Sequence, residues 1–377
     1  MKVSIFILID ALGWQIIKDR PFLNDILPYR APLKTILGFS SAALPSILTG
    51  KYPDEHGHWS MFFLSPNTSP FKWTKYLRFL PPRLSQSYRF RAQLRKIIKK
   101  TAHIEGYFSL YAIPFNYLRY FDLCEKKNIY SPRGLNGYRS IFDHMKENRI
   151  NYKCWNWRTP EKQNFNELLR NVRSSQTQAY FLYTASLDGL IHKTGTLSKH
   201  VGQQLSWFSA YIEKIYKEAE ERFDQIGLFV FSDHGMTDLI KGYNLDQEIE
   251  RLKFRFEKDY FAFYDSTMAR FWFFSSKARE GILSYLSQLQ CGSLLSDEEL
   301  KSQHIFFEDK RYGEAIFLMK PGYQIEPSYM GRKALKAMHG YHPDDKNSFA
   351  VVMANKPINK EPRNILDLYE IITQELE

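Results

Sequence analysis

Apolar residues along the chain follow two rhythms. Unbroken runs at 3–9, 179–186, 227–231 and Ala350–Ala354 have the length and continuity of strands buried on both faces. Residues 197–223 instead place Val201, Leu205, Phe208, Ile212 and Ile215 at helical spacing. Residues 40–48 predict the first turns of a helix, closed by Thr49-Gly50 and the turn Lys51-Tyr52-Pro53-Asp54, and 138–148 predict another helix. Strands alternating with helices imply an α/β fold on a mostly parallel sheet, in one domain over 1–377.

Two stretches break the rhythm and read as insertions into that core. Residues 61–130 mix aromatic and basic positions, and within them 89–100 predicts a basic amphipathic helix with Phe90, Leu94, Ile97 and Ile98 as its apolar stripe. Residues 241–335 carry strand-like runs at Tyr260–Tyr264 and 270–274 and a helix near 277–289. No internal repeat or low-complexity tract stands out.

Composition changes this picture in three places. The apolar share of 44% and charged share of 25% are ordinary for a globular chain, but aromatics reach 16%. Net charge is +11, and ten basic residues with no acidic one lie between Met61 and Thr101, from Lys72 to Lys100. So local an excess suits an anionic partner. Cys124, Cys154 and Cys291 stand apart in no metal-ligand spacing, which argues against a disulfide framework and suits a reducing compartment. The opening run ends on Asp10 and has no small-residue cleavage site, so it reads as a strand and not a signal peptide. No run approaches the ~20 apolar residues of a membrane span. The expectation is a cytoplasmic protein, peripheral to the membrane if it touches one.

Chemistry collects at the strand ends. In open α/β sheets functional groups gather where strands finish, and Asp10, Asp188 and Asp233 each closely follow an apolar run. Any one could be a loop residue or a helix cap. Asp188 and His192 stand four apart, on one face of a helical turn. Asp233-His234 puts the same pair on a tight turn, where Gly235 permits an irregular backbone. Mixed Asp/His sites suit Zn²⁺, with Mn²⁺ the alternative, and two ions ~4 Å apart can support in-line phosphoryl displacement. Ser40 and Ser41 begin the presumed helix, where free amides and the dipole favour an anion. A Ser-Ser pair there can also simply cap the helix; beside the metal motifs, the nucleophile reading takes precedence.

These blocks, in order and spacing, resemble the alkaline phosphatase superfamily, most closely its type I phosphodiesterase/nucleotide pyrophosphatase branch. The resemblance rests on the strand ending in Asp10; Ser40 through Leu48-Thr49-Gly50-Lys51-Tyr52-Pro53-Asp54-Glu55-His56-Gly57; Asp188 with His192; Ser232-Asp233-His234-Gly235-Met236; and His339-Gly340-Tyr341. It covers the core but not the insertions, and implies a three-layer α/β sandwich. It implies that Asp10, Asp233 and His234 ligate one metal shared with the nucleophile, and Asp188, His192 and His339 the other. Counting back nine from Thr49 makes Ser40 the nucleophile, with Ser41 the fallback; His342 is a rival to His339, and His56 and His58 belong to the turn.

Two departures bear on substrate. The branch usually has Thr where Ser40 stands, so the nucleophile does not fix the leaving group. Nucleotide-cleaving members carry an Asn twenty-one residues beyond the nucleophile, and that position here is Met61. No Cys/Ser-x-Pro-x-Arg sequence surrounds Ser40, which sets the sulfatases aside. The expected reaction is hydrolysis of a glycan- or lipid-linked phosphodiester through a phospho-seryl intermediate. The alternatives are a phosphomonoesterase, or a phosphotransferase moving a headgroup onto a glycan. For the basic aromatic segment 72–100, three readings compete: part of the substrate site, contact with an anionic membrane surface, or a solvated face. No nucleic-acid-binding module is visible, and nothing in the sequence assigns an oligomeric state.

Overall fold

A computed structural model describes residues 1–332 and 334–377, so the expected insertion 241–335 includes one position, Lys333, outside the described residues. Six strands form the central sheet: β1 (Lys2–Ile9), β2 (Tyr29–Leu33), β3 (Tyr152–Trp155), β4 (Ala179–Thr184), β5 (Gln225–Phe231) and β6 (Ala350–Ala354). Their order is β2-β6-β5-β1-β4-β3. β1 runs parallel to both neighbours, and β6 alone is reversed, antiparallel to β5 and β2. β2 and β3 have mixed burial, which hides them from a search for continuous apolar runs.

Alternation along β1 builds the layers. Val3, Ile5, Ile7 and Ile9 face one core, and Phe6 and Leu8 face the other. The principal helices are α1 (Ser40–Thr49), α2 (Tyr88–Thr101), α3 (Glu161–Ser174), α4 (Ser186–Thr194), α5 (Lys199–Glu220) and α6 (Asp367–Glu375). α3 and α5 cover the first face: Val201, Leu205, Phe208, Ile212 and Ile215, the helical stripe seen in the sequence, are all buried there. α1 and α6 cover the second face with Ala42, Ile47, Leu48, Leu368 and Ile372. The result is a three-layer α/β sandwich. The sequence places α1, α2, α5 and the helices Ile141–Glu147 and Ser276–Ser287 within about three residues, but gives no helix for α3 or α6. Ser140 and Ser198 supply side-chain caps, the first as a capping box with Asp143.

The inserted segments cover one end of this sandwich. Phe62–Leu64 pairs with Phe121–Leu123, and between them lie a 3₁₀ helix, Lys72–Phe79, and α2. The α2 stripe differs from the expected one. Leu94 and Ile98 are buried, but Arg91 joins them on the inner face and Ile97 is 54% exposed. Arg91 points inward because its guanidinium donates to the carbonyls of Ser85, Leu110, Tyr111 and Ile113. The later segment forms an antiparallel sheet from Tyr260–Tyr264, Met268–Phe273, Ala315–Met319 and Gly292–Leu294. Arg270, fully buried, ties the segments together: it donates to Asp265 at 2.8 Å and to the Phe62 carbonyl at 2.9 Å. Among the described residues no helix is long and apolar enough to cross a membrane.

Candidate active site

Sheet register brings the acidic strand ends together. Ile9 lies opposite Thr184, and Leu8 opposite Phe231. The chain leaving β1 therefore enters Asp10 beside the start of α4, and the chain leaving β5 enters Asp233-His234. The Asp10 amide donates to the Thr184 carbonyl at 2.9 Å. α4 starts at Ser186, which puts Asp188 in its first turn and His192 one turn on, 3.1 Å apart. His339 follows the short strand Ala337–Met338, which pairs with Thr237–Asp238 just beyond β5.

Two clusters of possible ligand atoms result: Asp10, Asp233 and His234, and Asp188, His192 and His339. In the first, His234 Nε2 lies 3.4 Å from Asp10 and 3.3 Å from Asp233. Ser40 Oγ is 3.1 Å from the same nitrogen. The clusters adjoin through the His234 and His339 rings, stacked 3.8 Å apart. Ser41 instead donates to the Trp59 carbonyl at 3.1 Å, and half-buried His342 pairs with Asp344. His56 bonds Ser46, and neither His56 nor His58 joins a cluster. Neither serine caps α1: its N-cap is Phe39, which makes no side-chain cap bond.

The donors are arranged for cations. Among the described residues, Asp10 Oδ1, Asp188 Oδ1 and Asp233 Oδ2 are buried without a hydrogen-bond partner, as is His339 Nδ1. Such orphaned acceptors are costly in an apolar setting unless something positive faces them. Burial, and then Asp233 and Asp188, push the Asp10 carboxyl well above the usual carboxylate range, as expected for crowded acids lacking a counter-charge. Burial, reinforced by His234 and His192, drives His339 well below the usual imidazole value, keeping it neutral as a ligand must be. The remaining ring nitrogens are fixed from behind: His192 Nδ1 lies 2.8 Å from the Ala337 carbonyl, and His234 Nδ1 2.9 Å from that of Gly235. Each Nε2 is thereby turned inward. The residues of both clusters fit divalent-cation binding.

Gly235 serves this turn for a different reason from the one the sequence suggests. A Cβ there would lie 2.0 Å from the Asn347 carbonyl oxygen, so close backbone approach, and not a left-handed conformation, requires glycine. Tyr183, absent from the sequence reading, donates to Asp10 Oδ2 at 2.6 Å. It sits one residue before the end of β4, a place where a polar tip on an apolar strand is the available signal.

A cavity of about 440 Å³ opens beside Ser40 and reaches under the inserted segments, past Met61, Tyr107, Tyr130, Trp157 and Met330. Its walls are largely aromatic and apolar, with buried Glu125, Asp265 and Gln324 among the polar groups. These come from irregular segments whose convergence no spacing announces. Burial pushes the Glu125 carboxyl up to about 7, against the Tyr107 amide, Arg158 and Lys99, which lower it. An unfolded Glu titrates near ~4.3, so between these values the folded protein holds the proton more tightly. Stability should therefore fall as pH rises from about 4.5 to about 7 and level off above that. Glu125→Gln is expected to remove this slope, on the order of 3–4 kcal/mol, in urea melts across that range. Equal slopes in both proteins would refute it.

Residues 4–342 match the family of type I phosphodiesterases and nucleotide pyrophosphatases. No curated protein matches the chain. Among solved structures, human ectonucleotide pyrophosphatase/phosphodiesterase 5 superposes with a TM-score of 0.69 at 15% identity, covering 100% of this chain and 95% of that one. The murine protein of the same name gives the same values, both alone and as an inactive variant in complex with AMP. At that identity the likeness speaks for the fold, an alkaline phosphatase-like sandwich, while the match along nearly the whole chain speaks for descent. The chain is a phosphoric ester hydrolase and belongs to the type I phosphodiesterase/nucleotide pyrophosphatase family.

Proposed function

We propose that this enzyme is a two-metal phosphodiesterase that forms a phospho-seryl intermediate on Ser40, and that the ester it cleaves carries an apolar, lipid-like group. The observation behind it is the position of Ser40 Oγ, 3.1 Å from His234 Nε2 and bordering a chamber with mainly apolar walls. Asp10, Asp233 and His234, with Ser40, would hold one cation; Asp188, His192 and His339 would hold the other. Zn²⁺ suits this donor set best and Mn²⁺ is the alternative; when bound, such ions supply Lewis-acid charge to the attacking and leaving oxygens.

The chain's own groups do the rest. The free amides and dipole at the start of α1 favour the anionic phosphoryl group. Tyr183 orients Asp10, and the Ala11 amide, 3.3 Å from Asp233 Oδ1, orients Asp233. Ser40 Oγ bonds to phosphorus as the ester P–O bond breaks, and the serine proton ends on the departing alcohol. Water then bonds to phosphorus and returns Ser40 to its hydroxyl form, leaving a phosphomonoester.

AMP is bound by the inactive murine relative, but two features favour a different substrate here. Met61 stands where nucleotide-cleaving relatives have Asn, and its sulfur accepts from the Ser109 amide at 3.5 Å. The chamber beyond it is walled by side chains that suit an alkyl or glycan-lipid portion. The unpaired cysteines Cys124, Cys154 and Cys291 support a reducing, cytoplasmic setting as part of the same reading. With Zn²⁺ or Mn²⁺ supplied, a bis-aryl phosphate should turn over faster than the mono-aryl phosphate by about tenfold or more. A long-chain alkyl aryl diester should also show a lower KM than a nucleoside aryl diester. Equal or faster cleavage of the monoester would make the enzyme a phosphatase; capture of the phosphoryl group by an added sugar alcohol would make it a phosphotransferase.

A further inference from the structure

The 3₁₀ helix Lys72–Phe79 brings out an order that is easy to overlook in the sequence. Lys72-Trp73-Thr74, Lys75-Tyr76-Leu77 and Arg78-Phe79-Leu80 are three successive triplets of basic, aromatic and inward-facing residues. A 3₁₀ helix has three residues per turn, so positions three apart eclipse one another. Trp73, Tyr76 and Phe79 therefore form one row, and Lys72, Lys75 and Arg78 form a second beside it. The third row turns inward: Thr74 is fully buried and donates to the Phe71 and Phe115 carbonyls, both at 2.7 Å. The aromatic row faces solvent, with Tyr76 70% and Phe79 76% exposed.

The neighbouring chain extends both rows. Leu84, Tyr88 and Ile97 are also exposed, at 41%, 84% and 54%. Arg83, Arg89, Lys96 and Lys100 stand in solvent around them. Not one Asp or Glu lies between 61 and 101, and among the described residues none of these cations enters a salt bridge. Exposed aromatic and aliphatic side chains interleaved with unpaired cations are the signature of an interfacial surface. We infer that this face docks on an anionic lipid bilayer, its cations meeting headgroup phosphates and its aromatic row entering the headgroup boundary. A single-stranded nucleic acid would also engage aromatic and basic rows. The exposed Leu84 and Ile97 favour lipid, because aliphatic tips gain by entering the interface and have no base to stack on.

The surface is held against the cavity. Arg91, inside α2, binds the carbonyls of Leu110, Tyr111 and Ile113, and Lys99 lies 5.1 Å over the Trp157 ring. Tyr111 and Trp157 line the chamber, so docking would bring its wall to the bilayer. The inference concerns binding only and stands apart from the chemistry at Ser40.

Cosedimentation with vesicles tests it. The protein should pellet with phosphatidylcholine vesicles containing about one-third phosphatidylglycerol, and at least about tenfold less with phosphatidylcholine alone. Added salt should release it. The pair variants Tyr76→Ser/Phe79→Ser and Lys75→Glu/Arg78→Glu should each lower partition by about tenfold. Both should keep wild-type melting and turnover of a soluble aryl phosphodiester, which separates lost docking from lost folding. Failure of the wild-type protein to pellet with anionic vesicles at low salt would overturn the inference. So would undiminished binding by both variants, or release of the protein from anionic vesicles by a single-stranded oligonucleotide that binds it more tightly.

Discussion

Ser40→Ala should lower turnover of an aryl phosphodiester by a factor on the order of 10³ or more, with melting unchanged. The size follows from the role: without an oxygen at this position no covalent intermediate can form, and residual activity must come from direct attack by water. The fold should tolerate the change, because the Ser40 hydroxyl caps nothing and its polar neighbour is His234 at 3.1 Å. Ser41→Ala is the control. Its hydroxyl bonds the Trp59 carbonyl, so its loss should cost about 1 kcal/mol of stability and little activity. Acid quenching of a burst with radiolabelled diester should trap a phosphoprotein in the wild type and none in Ser40→Ala. A labelled Ser40→Ala protein, or the reverse pattern for Ser41, would move the nucleophile.

Chelation should be equally severe: turnover should fall to background and return on adding Zn²⁺ or Mn²⁺. Losing the cations would leave the oxygens of Asp10, Asp188 and Asp233 buried without partners, which raises the Asp10 pKa and destabilises the fold. The melting temperature should therefore drop by several degrees in chelator, because an ion that binds the folded chain and not the unfolded one stabilises the fold. Asp233→Asn keeps the shape of the side chain and removes one charge. Metal analysis should then fall from two ions per chain towards one. Protein purified without chelator that contains no bound ion would end the two-metal reading.

Much of the core was legible because parallel strands buried on both faces are written as continuous apolar runs, and β1 and β5 each finish on chemistry-bearing residues. The family motifs linked Asp188-His192 to His339, which lie far apart in sequence and meet through the bond between His192 and the Ala337 carbonyl. Other features escaped for physical reasons. β2 and β3, at or near the sheet's edges, mix apolar with polar residues. Ile97 was read onto the inner face of α2 because hydropathy does not register four backbone carbonyls that hold a guanidinium inside. The chamber is built from turns and loops, where contact depends on where the chain goes and not on its period. Glu125 gives no local sign of being buried.

The two clusters draw their side chains from the turns after β1 and β5, from α4 and from a loop after Met338, so the first is complete only with His234 and the second only with His339. A ribosome-bound fragment that has folded its first strands carries Asp10 and Ser40 but lacks the partners that would let it retain an ion. Both clusters together are thus available only to a chain made past His339. A chain truncated before His339 would lack the second cluster's full ligand set even if its sheet assembled.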